Sequence, residues 1–115
     1  MGRKRISNQE GLHALSEAAF DEATAVRFLL QAIEDSSPGG TVELRVPPFG
    51  AIQCIGGLDH RRGTPPNVVE MDGNTFIGLA IGTLEIQKEI ESGKVFLSGS
   101  RASEISSLFP ALIVE

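Results

Sequence analysis

The sequence predicts an α+β domain of two layers, with helices segregated on one face of a largely antiparallel sheet. Three observations point there. Val42, Leu44 and Val46 alternate with Glu43 and Arg45, which gives a strand with one apolar face and one polar face. Leu12, Leu15, Ala19, Ala23, Val26, Leu30 and Ile33 recur at spacings of 3, 4, 4, 3, 4 and 3, a single stripe along a helix of 3.6 residues per turn. After that helix, short strand-like and helix-like segments follow one another to the end of the chain. Two strands alone are marginal in water, so the helical stripe must cover their apolar face.

The elements follow in chain order. Ser7 and Glu10 have capping-box spacing and open the first helix. Run straight from Asn8 to Glu34, that helix would be about 40 Å long. Such a length exceeds a domain of this size, so a bend or break is expected near Ser16 to Asp21. SSPGG at 36–40 stops it. Val42 to Ile55 then reads as a hairpin: a strand to Val46, a connection of about four residues shaped by Pro47, Pro48 and Gly50, and a return over Ala51 to Ile55. GGLDHRRGTPP at 56–66 is a loop whose length is unusual unless it is packed or functional. Asn67 to Met71 is a third strand, with Val69 and Met71 on one face. Asp72 or Asn74 caps a helix that carries Phe76, Leu79 and Ala80 on one side and ends at Gly82. Gly78 inside it implies close packing or space left for something else. Thr83 is the expected cap of the next helix, which ends at Gly93. Lys94 to Gly99 is a fourth strand. Ser100 is expected to cap a last helix, lined by Ala102, Ile105, Leu108 and Phe109 and ended by Pro110. Leu112, Ile113 and Val114 form an apolar tail that either packs back or lines an opening. Residues 1–10 are expected as a flexible tail and residues 11–115 as one domain.

Composition bounds the function. The chain has 115 residues, 41% of them apolar, enough for one core without metal or disulfides. The formal charge of −5 and the absence of tyrosine and tryptophan argue against nucleic acid as a partner. No apolar run is long enough to span a membrane and none resembles a signal peptide. One cysteine cannot form an internal disulfide, and the expected setting is a reducing, cytoplasmic one.

Few residues suggest chemistry. Cys54, Asp59 and His60 lie close in sequence and could form a nucleophilic set; a buried structural thiol is the commoner arrangement. One cysteine and two histidines make no zinc site, and no phosphate-binding or dinucleotide fingerprint is present. No cofactor is implied. Gly56-Gly57 with Arg61-Arg62 could cradle an anion, although a glycine-shaped loop held by salt bridges accounts for the same residues. Charges of opposite sign at Arg45 and Glu70, with Arg62 and His60 nearby, suggest a network holding the loop to the sheet.

The runs VELRVPPFGAIQC, HRRGTPPNVVEMD, TFIGLAIG and SGKVFLSGSRASEISSLFP resemble the bacterial sterol-carrier-like family, related to sterol carrier protein type 2. The resemblance spans Val26 to Leu112. It implies a mixed sheet of four or five strands, covered on one face by helices, with an apolar tunnel between the layers. Carried onto this chain, the tunnel wall would include Phe76, Ile77, Leu79, Ala80 and Leu84 from the central helices. Val95 and Leu97 would join from the fourth strand, and Ile105, Leu108 and Phe109 from the end of the chain. Many relatives have tryptophan at the position of Phe76, so bulk is kept here and an N–H is lost. Arg62 or Ser100 would meet a polar head at the mouth.

The leading expectation is therefore non-catalytic binding or transfer of a small apolar ligand, such as a lipid, a fatty acyl compound or a sterol-like molecule. One alternative is a cysteine-dependent enzyme or an isomerase accessory module. Another is an interaction module with a solid core, forming a homodimer or partner complex through the N-terminal helix or the apolar tail.

Overall fold

The computed structural model describes residues 5–57 and 66–112. Its elements are α1 (Asn8–Leu15), α2 (Glu22–Ser36), β1 (Val42–Val46), β2 (Gly50–Cys54), β3 (Asn67–Met71), α3 (Gly73–Ile81), α4 (Ile86–Glu91), β4 (Val95–Ser98) and a 3₁₀ helix, η1 (Ala102–Leu108). The strands form one mixed sheet in the order β2-β1-β3-β4. The β1–β2 and β3–β4 pairs are antiparallel and β1–β3 is parallel. Helices cover one face, as the α+β expectation requires.

Register decides which residues meet them. Leu44 pairs with Ile52 on one side and Val69 on the other, and Val69 pairs with Leu97. Side chains of directly paired residues share a face. Val42, Leu44, Val46, Val69, Met71 and Val95 are buried beneath the helices. Glu43, Arg45, Glu70 and Phe96 occupy the other face, where Phe96 is 60% exposed. Cys54 pairs with Val42 and so points into the core.

The helical stripe breaks where expected. α1 ends at Leu15 and α2 begins after Asp21, whose carboxylate accepts from Thr24 N at 3.3 Å. α2 lays Val26, Leu29, Leu30 and Ile33 on the sheet and on α3. Residues 5–10, expected within the tail, make defined contacts. The Ser7–Glu10 capping box forms, Gln31 bonds both the N–H and the C=O of Ile6, and Arg5 pairs with Asp35. These contacts tie residues 5–10 to α2.

Three local expectations are corrected. The return strand begins at Gly50 and ends at Cys54, because Ile55 adopts φ +68°. This left-handed backbone is unusual for a β-branched residue. It lets Ile55 N donate to Ser37 O and Ile55 O accept from Thr41 N, rather than continue the ladder. Thr83 does not cap α4, whose N-cap is Glu85 without a side-chain bond; the Thr83 hydroxyl turns back to Gly78 O. The last helix is 3₁₀, begins after Arg101 rather than at a Ser100 cap, and runs on i→i+3 bonds such as Glu104 N to Arg101 O. Its serines favour this, since Ser107 Oγ bonds back to Glu104 O.

Candidate functional site

The end of α3 builds the site. Asp72 caps α3 by accepting from Thr75 N at 2.8 Å, and those hydrogen bonds hold its carboxyl below the usual carboxylate range. At the other end the last carbonyls lack helical partners. Gly78 O accepts from the N–H groups of Gly82, Thr83 and Leu84 at 2.9–3.0 Å, and from the Thr83 hydroxyl at 3.3 Å. Gly82 closes the helix with φ +91°. Ala80 O accepts from both Ala111 N and Leu112 N at 2.9 Å. The first set of bonds turns the chain sharply into α4. The second brings the C-terminal segment back onto α3, so Leu112 packs on the core; Ile113 and Val114 lie outside the described residues.

Between these two returns lies a cleft of about 590 Å³. Leu79, Leu84, Ile86, Phe109 and Pro110 form its apolar wall, and Thr83, Glu85, Lys88 and Glu89 form its polar rim. Phe109 is held over the α3 core by an edge-to-face contact with Phe76, ring centroids 6.1 Å apart at 79°.

Three of the ten residues expected on an apolar wall therefore meet at the cleft: Leu79, Leu84 and Phe109. Phe76, Ile77, Ala80, Val95 and Ile105 are buried behind it between helices and sheet, with Leu97 and Leu108 half-buried against the same core. The rim residues Glu85, Lys88 and Glu89 were not anticipated as site residues. The legible signal was the G-T junction at Gly82-Thr83, a helix stop followed at once by a second helix, which must leave a concave corner. Of the two expected mouth residues, Ser100 is exposed on the turn after β4 and does not line the cleft. Arg62, with His60 and Asp59, lies outside the described residues.

Of the expected polar network only Arg45 and Glu70 lie among the described residues, and nothing shown there holds the loop. Arg45 pairs with Glu43 at 2.9 Å and more loosely with Glu70 at 4.0 Å, and all three side chains reach solvent. Pairs this exposed contribute about 0–1 kcal/mol.

Cys54 is fully buried, and that burial, with a smaller contribution from Glu34, pushes its thiol up to about 11. The thiolate is the nucleophilic form, so the catalytic alternative lacks an activated group. Alkylation by iodoacetamide in the folded protein is expected to be negligible near pH 7 and to accelerate only toward pH 11 or on unfolding. Mass spectrometry of the labelled protein across pH checks this. Rapid labelling near neutrality would contradict it. Among the described residues, no group of three His, Cys, Asp or Glu could hold a metal ion, and no helix is long and apolar enough to cross a membrane.

No curated protein matches the chain. One family profile, described as the bacterial SCP ortholog, matches residues 19–111. That match covers α2, the whole sheet, α3, α4 and η1, and takes in both walls of the cleft. The chain belongs to the bacterial SCP ortholog family.

Proposed function

We propose that this protein binds a small apolar or fatty ligand without catalysing a reaction on it. The observation that carries this reading is the cleft of about 590 Å³, with an apolar wall of Leu79, Leu84, Ile86 and Phe109 and a charged rim. Small-molecule sites usually occupy roughly 300–1,000 Å³ and combine hydrocarbon walls with a few polar groups. Family membership supports the same class of function. The ligand's hydrocarbon lies against Leu79 and Phe109, and its polar end faces Lys88 and Glu89. Phe76, Ile77, Ala80, Val95, Leu97, Ile105 and Leu108 form the layer behind, which keeps the inner wall dry. Each 100 Å² of ligand surface buried there contributes about 2.5 kcal/mol before association costs.

Native mass spectrometry of the purified protein, followed by extraction and identification of any carried molecule, tests the proposal. A co-purifying lipid is expected in the wild type and expected to be lost in Leu84→Trp, because the indole fills the cleft from a position that is already 38% exposed. A protein that carries nothing and binds no fatty acid, acyl-CoA or sterol overturns the reading.

A further inference from the structure

The wall that α4 contributes to the cleft differs from the one that α3 contributes. α3 has seven buried residues among its nine, whereas α4 has none among its six. Only Ile86 and Ile90 pack partly against the core, and the neighbour of α4 is the edge strand β4. An element with so little buried apolar surface opens more readily than the body it rests on. The bonds at its C-terminal end, Gly93 N to Ile90 O and Lys94 N to Glu89 O, close its last turn onto itself. Gly93 itself has φ +82°, and a Cβ placed there would meet nothing within 4 Å. Those two bonds carry Gly93 and Lys94 with α4, so the chain leaves α4 only where it enters β4 at Val95.

The other end is seated rather than free. Leu84 packs into the notch that Gly78 leaves by lacking a side chain: a Cβ on Gly78 would lie 2.5 Å from Leu84 Cδ1 and 2.7 Å from Leu84 Cγ. The same residue's N–H is bonded to Gly78 O at 3.0 Å. Yet Leu84 is 38% exposed, so its release uncovers only part of an apolar side chain.

We propose that α4 is a lid on the cleft, latched by Leu84 in the Gly78 notch and hinged beyond Lys94, where the chain enters β4. Opening swings Ile86, Lys88 and Glu89 away from Leu79 and Phe109 and widens the mouth. Closing returns Leu84 to the notch and covers the apolar wall. The lid gives the binding reading above its route of entry, and rests on that reading.

The notch supplies the test. Gly78→Ala evicts the latch while placing a better helix former in α3, and Leu84→Ala removes the latch from the other side. The first measurement is amide hydrogen exchange of the ligand-free protein. Amides of Thr83 and Leu84, whose bonds to Gly78 O opening breaks, are expected to exchange at least about tenfold faster than those of α3, and about fivefold faster again in either variant, with β1 and β3 unchanged. The second is stopped-flow binding of cis-parinaric acid. Its rate is expected to level off at high probe concentration at the opening rate, and that plateau should rise about fivefold in both variants. The double variant should add little to either single one, because both remove one contact. If the Thr83 and Leu84 amides exchange as slowly as those of α3, or the variants leave their exchange and the plateau unchanged, the lid is overturned even where parinaric acid binds. If the exchange of Thr83 and Leu84 responds as expected but neither parinaric acid nor oleoyl-CoA nor cholesterol binds, the carrier reading is overturned instead, and the lid's role with it. Should Gly78→Ala not fold, Leu84→Ala carries both measurements alone.

Discussion

Replacing Gly99 with alanine is expected to lower the unfolding free energy by about 2–5 kcal/mol, the sum of a left-handed backbone penalty and a steric one. Gly99 has φ +104°, and a Cβ there would lie 2.5 Å from Pro66 O and 2.8 Å from Asn67 Cα, and closer still to Asn67 Oδ1. These are backbone atoms and a buried amide, none of which can yield cheaply. Asn67 is only 2% exposed and joins three parts of the fold. Its Nδ2 donates to Thr41 O at 2.9 Å, just before β1, and its Oδ1 accepts from Arg101 N at 2.8 Å, just before η1. Displacing it leaves buried polar groups without partners, which costs about 1–3 kcal/mol for each. Gly93→Ala is the control. It shares a positive φ of +82° but opens into free space, so it should cost only the backbone part, about 1–2 kcal/mol. Urea unfolding followed by circular dichroism measures both, since the chain has neither tryptophan nor tyrosine to report by fluorescence. Equal costs for the two variants would show that the Asn67 contact is not the cause. With total stabilities near 5–15 kcal/mol for domains of this kind, the Gly99 variant should lose a large share of its stability.

Phe76→Ala is expected to cost about 3–5 kcal/mol, in the range for truncating a buried aromatic side chain. Phe76 is fully buried at the centre of α3 and supports Phe109 by its edge-to-face contact. Removing it leaves a cavity under the cleft and takes away the surface on which Phe109 rests. The midpoint of thermal unfolding should fall by about 10–20 °C. Phe109→Ala should cost clearly less, because Phe109 is only half-buried at the rim of the same core. The pair separates support from lining: Phe109→Ala is expected to weaken binding of parinaric acid with little loss of stability, and Phe76→Ala to weaken both. A Phe76→Ala protein that melts like the wild type would show that this position is not packed as described.

The strands and the helical stripe were readable because each is a local pattern. Val42, Leu44 and Val46 face one way whatever surrounds them, since successive strand residues point to opposite sides. The third strand matches its predicted bounds at Asn67 and Met71 for the same reason. The break between α1 and α2 followed from length alone and the Gly82 stop from glycine's own chemistry, while the cap of α3 was narrowed to Asp72 or Asn74, of which Asp72 is the cap. Strand order was not readable from the pattern: β1 lies between β2 and a parallel β3, yet three strands with the same period of two can be stacked in several orders. The family resemblance supplied the mixed sheet that periodicity left open. The face of Cys54 needed the register that pairs it with Val42. The cleft was the least visible feature. Leu79, Leu84 and Phe109 look like core residues in sequence, and so do Phe76 and Ile105, which are core. What separates them is where the chain turns after α3: toward α4 through the four donors gathered on Gly78 O, and back again through the two on Ala80 O. Those bonds join residues whose meeting depends on the placement of two whole segments. Most elements and their apolar faces were thus legible, because they depend on the spacing of neighbouring residues. Which apolar residues fill the core and which border open space was not legible, because that depends on the path of the backbone between elements.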